Sequence, residues 1–156
     1  TALNIKNSKN LPSFDLIDFA THGFSGDETG STFEPGLALT NSYLTIPDIL
    51  SLDLNADMII LSACNTGSPQ TKLSSSFSGL ASAFMAAGSE HVIASFWSVD
   101  SLATTKLISN LIDKKLNSNR KWPQAHHLTI NEFTREYPKY DSPYYWSSFI
   151  VFSNQI

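Results

Sequence analysis

The chain has 156 residues, 42% hydrophobic and 15% charged, which is the make-up of one globular domain able to bury its own core. Ten Lys and Arg stand against fourteen Asp and Glu, a formal net charge of −4 with no basic stripe, so direct nucleic-acid binding is not expected. No apolar run approaches the roughly 18 residues that span a bilayer and no signal peptide opens the chain, so the expectation is a soluble, cytoplasmic protein without a membrane partner.

A single cysteine, Cys64, excludes an internal disulfide and a cysteine-rich zinc site and fits a reducing compartment. The opening "TALNIKNSKN" reads like the end of a helix, so a fragment or processed product is expected. A short helix over 2–9 should stop near Pro12, because proline disfavours helical geometry in the residue before it. The first strand is predicted at about 15–21. Residues 22–36, "HGFSGDETGSTFEPG", read as a long exposed loop that carries part of a cleft, with Asp27 and Glu28 solvated.

Next, "LALTNSYLT" gives a hairpin around Thr40, Asn41 and Ser42. Thr45 with Asp48 three residues on and Pro47 between them opens a short helix. "ADMIILSAC" is the continuous apolar run of a strand buried on both faces of a parallel sheet, and it ends at Cys64. A helix follows with Phe77, Leu80, Ala81, Phe84 and Met85 on one face and Gly88 as its stop. "EHVIASFW" is a second buried strand, and "SLATTKLISNLIDKKL" a second helix. A helix over "PQAHHLTINEFTREY" and a last strand "YYWSSFIVF" near a sheet edge complete the chain. Alternation of this kind predicts an α/β domain with a mainly parallel central sheet covered by helices.

Ligands and reactive groups of a parallel sheet gather beyond the carboxyl ends of its strands, and both His22 and Cys64 fall there. If their strands are neighbours, the backbones lie about 4.8 Å apart and an imidazole and a thiol can meet over one carbonyl. A thiolate is a competent nucleophile, and a nearby imidazole favours its ionisation and protonates the leaving amine. The N–H groups of Gly23 and Cys64 are candidate oxyanion donors. Asp18, on the same strand face as His22 if the strand continues, is about 13 Å back and too far to orient the ring.

"FATHG" at 19–23, "LSACNTG" at 61–67, "GLASAFMAAG" at 79–88, "VIASFWSVDSLAT" at 92–104 and "SPYYWSSFIVF" at 142–152 together resemble the CHAT domain, a clan CD cysteine peptidase family related to caspases and separases. The resemblance runs end to end over residues 1–156. It implies a caspase-like three-layer α/β/α sandwich, a catalytic pair His22 and Cys64, and a domain lacking its N-terminal strand or strands. It further implies a bacterial cysteine endopeptidase acting on protein substrates at limited sites without a cofactor, in a parent chain that often carries tetratricopeptide repeats. Substrate-binding candidates are Ala63, Trp97 and Asp100. Asp100 is the acid nearest the tryptophan motif and would select Lys or Arg before the cut, while Ser101 stands where the family often has a second acid, which argues for a neutral pocket.

Each candidate has a plainer reading. Cys64 alone would be a small buried hydrophobe, but its place at a strand end before the polar turn "NTG", shaped by Thr66 and Gly67, favours chemistry. Asp100 fits a helix N-cap as well as a pocket acid, and Trp97 and Trp146 fit a core or pocket wall. His91 reads as structural, and His126 and His127 as a solvated face; no metal-ligand spacing links them, so no metal is expected. The rival to a peptidase is a catalytically silent caspase-like interaction or regulatory module. A cysteine acyl hydrolase would need a Gly-x-nucleophile-x-Gly elbow, which "SACNTG" is not.

Overall fold

The computed structural model describes residues 1–24, 35–62 and 73–154, with the backbone alone described over 73–77. The elements in chain order are α1 (Ala2–Lys6), β1 (Leu16–Asp18), β2 (Gly23–Phe24), β3 (Gly36–Leu39), β4 (Ser42–Thr45), α2 (Ile46–Leu50), β5 (Met58–Leu61), α3 (Leu73–Ala86), β6 (His91–Ser95), α4 (Ser101–Leu116), α5 (Trp122–Glu136) and β7 (Phe149–Ser153). Among the described residues the central sheet has the order β1-β5-β6-β7. Its first three strands are parallel, in the register Leu16↔Met58 and Met58↔His91, and β7 closes the edge antiparallel to β6. The predicted mainly parallel α/β architecture is the one observed.

Alternation along β5 and β6 explains the three layers. Ile59, Leu61, Val92 and Ala94 point to one face, where they pack with Leu80, Ala81 and Phe84 of α3 and with Leu37, Leu44 and Ile49. Met58, Ile60 and Ile93 point to the other, against Leu107 and Leu111 of α4 and Trp122, Ala125 and Phe133 of α5. Every residue of β5 and β6 is buried, so the strands carry apolar side chains on both faces where a half-exposed strand would alternate with polar ones.

Several boundaries differ from the sequence expectation. The first helix ends at Lys6 and not near residue 9, because the Asn7 N–H already closes the last turn on the carbonyls of Leu3 and Ile5; a separate 3-10 turn at Leu11–Ser13 carries Pro12. The first strand ends at Asp18. Phe19 N–H makes the last rung to the Ile60 carbonyl, after which Thr21 N–H turns back onto the Phe19 carbonyl and the chain leaves the sheet. It then enters a small antiparallel sheet, β2-β3-β4, whose first strand lies inside the segment expected to be loop. The hairpin turns at Thr40 and Asn41, the latter at φ 58°, a conformation asparagine tolerates better than most residues. The Thr45 hydroxyl and the Asp48 carboxylate form the expected capping box of α2.

Of the last two predicted elements the helix holds, while the strand expected from Tyr144 begins only at Phe149, because Pro143–Tyr145 forms a 3-10 turn in which the Tyr145 N–H closes on the Ser142 carbonyl. A helix covers Trp122–Glu136, and β7 is an edge strand. Asp27, Glu28, Ala63, Cys64, Thr66 and Gly67 lie outside the described residues, as does the Phe77 side chain.

Candidate functional site

β1 and β5 are neighbours in parallel register, with Asp18 opposite Ile60. The two expected strands are thus neighbours, and the described chain runs from the end of β1 to His22 and from the end of β5 to Ser62 on the same sheet edge, while Cys64 lies outside the described residues. A cavity of about 300 Å³ opens there, lined by Ala20, Thr21, His22, Ser62, Ser98, Val99, Ser101, Thr104 and Thr105. It lies between the carboxyl ends of β1 and β5, the segment that follows β6, and the first turn of α4. That is where a parallel sheet collects its ligands.

The His22 side chain is exposed and its backbone is fixed. Its carbonyl accepts the Ala38 N–H at 2.7 Å, and the Thr21 hydroxyl donates to the Ala38 carbonyl, so two consecutive residues are pinned to β3. Gly23 then faces Leu37. In an antiparallel ladder bonded and non-bonded pairs alternate, so with His22 and Ala38 bonded the Gly23 N–H is directed away from β3.

Asp18 does more than the sequence suggests. Because β1 ends there, the period-two relation to His22 is broken, and the carboxylate instead accepts the Ser62 hydroxyl at 3.1 Å. Loss of water around it pushes the Asp18 carboxyl above the ordinary carboxylate range, against the opposing effect of that hydrogen bond. Ser62, a wall residue beside the expected nucleophile segment, is thereby oriented by an acid from the neighbouring strand.

Asp100 is the N-cap of α4. Its Oδ1 accepts the N–H groups of Leu102 and Ala103, each at 3.0 Å, and it is not among the described residues that line the cavity. Trp97 is 40% exposed and also outside the lining; its indole N–H donates to the Tyr144 carbonyl at 2.9 Å while the Tyr144 hydroxyl donates to the Ser98 carbonyl at 2.5 Å. The tryptophan motif and the "SPYYW" segment thus clamp each other and hold Ser98 in the cavity wall. Sequence reasoning misses Ser62, Ser98 and Thr104 as wall residues; only their nearness to the quoted motifs points to them.

The remaining histidines separate. His91 is buried and its Nδ1 lies 2.9 Å from the Ser153 hydroxyl. Its ring approaches Glu90 and Asp57, and ligand atoms of the three lie within 4.8 Å of one another. The grouping is at the opposite end of the sheet from His22. There Asp57 Oδ2 already accepts the Trp122 indole N–H at 2.8 Å and lies 3.4 Å from Lys115 Nζ, so its charge is compensated by protein groups. His126 is not on a solvated face, contrary to the sequence reading. It packs under β7 with its Nε2 sealed from water and unpartnered, and the loss of water holds its pKa below the usual histidine value against a backbone hydrogen bond at Phe149. His127 is exposed, with Asn131 beside it at 3.0 Å.

A two-sided parallel sheet with its cleft at the strand ends and His22 at the rim has the architecture of a caspase-like α/β domain. Residues 1–154 match the CHAT domain family model, and the chain belongs to that family. Among curated proteins no sequence match was found. No helix among the described residues is long and apolar enough to cross a membrane.

Proposed function

We propose that this CHAT domain is a cysteine endopeptidase that cuts protein substrates at limited sites, with His22 and Cys64 as the catalytic pair. The supporting observation is the shared cavity: His22 and Ser62, the latter two residues before Cys64, line one cleft at the ends of adjacent parallel strands. In this reading the Cys64 thiolate adds to the scissile carbonyl, His22 delivers a proton to the departing amine, and water then releases the acyl group from sulfur. The Gly23 N–H, turned away from β3, suits the developing oxyanion, with the Cys64 N–H as second donor.

An electrophilic peptide probe tests this directly. Labelling of Cys64 is expected, and His22→Ala should slow it by a factor of about 10² to 10⁴, the usual contribution of a general acid or base. A protein that folds normally yet leaves Cys64 unlabelled by any probe is instead the silent interaction module.

A further inference from the structure

The cavity beside His22 is built from hydroxyl groups. Thr21, Ser62, Ser98, Ser101, Thr104 and Thr105 line it, with Ala20 and Val99 as its apolar part. Among the described lining residues none carries a carboxylate. The two carboxylates nearby are both engaged elsewhere. Asp100 commits its Oδ1 to two N–H groups of α4, and one oxygen of Asp18, beside the wall, accepts the hydroxyl of the lining residue Ser62.

Thr104 supplies the observation that calls for a ligand. It is 9% exposed, and its Oγ1 is buried with no hydrogen-bond partner. An orphaned buried hydroxyl is costly, and most such groups in folded proteins find a partner. At about 300 Å³ the cavity is at the small end of ligand pockets, which run from roughly 300 to 1,000 Å³; it suits one side chain better than an extended ligand. A lysine or arginine inserted there would meet His22 and hydroxyls, with no carboxylate among the described lining residues and the nearby Asp18 already shared with Ser62, which is unfavourable for a charge without a dedicated paired anion. Thr21, Ser62 and Thr105 give their hydroxyl hydrogens to the Ala38 carbonyl, the Asp18 carboxylate and the Ser101 carbonyl and so offer acceptor lone pairs to a carboxamide NH₂, while its C=O can be met by the hydroxyl hydrogens of Ser98, Ser101 or Thr104.

The geometry points to this cavity as the specificity pocket of the proposed peptidase, receiving an uncharged hydrogen-bonding side chain, the carboxamide of glutamine or asparagine, and discriminating against lysine and arginine. This rests on the peptidase reading of the same site.

The test uses the whole 156-residue chain and a set of peptide probes with one electrophile, differing only in the residue next to it: Gln, Asn, Arg, Lys or Ala. Cys64 labelling rates are expected to be at least about tenfold higher for the Gln or Asn probe than for the Arg and Lys probes, the scale of discrimination a few hydrogen bonds provide. Thr104→Val, which keeps the side-chain shape, should narrow the preference of the carboxamide probes over the Ala probe. Ser101→Asp, at an exposed position, should raise Arg labelling, giving a second variant should the buried one fail to fold. Fastest labelling by Arg or Lys overturns the inference while leaving the peptidase reading standing, most directly if Asp18→Asn abolishes that preference. Equal rates for Gln, Asn and Ala overturn it too. Absence of labelling by every probe refutes the peptidase reading and this inference with it.

Discussion

At the scale of single residues, hydrogen-bond partners sort the candidates better than residue type does. Asp100 and Asp18 are both acids near the cleft, yet one closes a helix end and the other orients a serine in the wall. Replacing Asp100 by alanine is expected to cost about 1 kcal/mol in urea unfolding, the ordinary value of an N-cap, and to leave the ranking of the Arg and Gln probes unchanged; a collapse of Arg labelling in this variant would make it a pocket acid instead. His126 carries a pH signature. Burial depresses its pKa from 6.5, so the folded protein resists a proton that the unfolded chain accepts. Stability from this group is complete above pH 6.5 and falls as the pH drops through 6.5 toward the depressed value. Urea midpoints followed across that window should decline in the parent protein and decline less in His126→Gln, which retains a hydrogen-bond donor; parallel curves would show that other groups dominate.

At the scale of elements, most of the helices and strands are legible in the amino-acid sequence, and the exceptions have physical causes. The buried strands stand out because β5 and β6 are apolar on both faces, and α2 because its capping box is written in Thr45 and Asp48. The end of β1 is not legible, since Phe19, Ala20 and Thr21 continue its apolar, β-prone pattern while a tight turn takes them out of the sheet. Nor is β2, whose Gly23 and Phe24 find partners in β3 through a pairing that no local pattern encodes. The cleft is partly legible: His22 at a strand end is visible, whereas Ser98 and Thr104 join the wall only through the packing of α4 across the sheet. Gly88 reads as a helix stop, and its geometry shows why glycine is required there. It sits at φ +115°, and an added Cβ would lie 2.0 Å from the Leu54 carbonyl oxygen. Gly88→Ala is therefore expected to destabilise by at least about 3 kcal/mol, combining strain with a backbone clash. A loss under about 1 kcal/mol in urea titration, close to the range of ordinary surface changes, would mean that the α3–β6 connection can shift.

For the molecule as a whole, two apolar clusters lie on opposite sides of a sheet one strand thick, and β5 and β6 belong to both. Amides of Ile59, Ile60, Val92 and Ile93 should consequently be the slowest to exchange hydrogen, since opening them disrupts both layers at once; faster exchange there than in α5 would show that the two layers open independently. The final strand ties this core to the cleft. β7 covers the outer edge of β6, and the segment before it holds Ser98 in place through the Tyr144 hydroxyl and the Trp97–Tyr144 bond. A ribosome delivers these residues after every other strand of the domain. During synthesis β6 has one edge unpaired and the rim at Ser98 has no clamp until residues 144–153 have emerged, so a nascent chain can complete most of the sheet while still lacking a finished cleft. The order of translation thereby delays completion of the cleft until the sheet beneath it is nearly built.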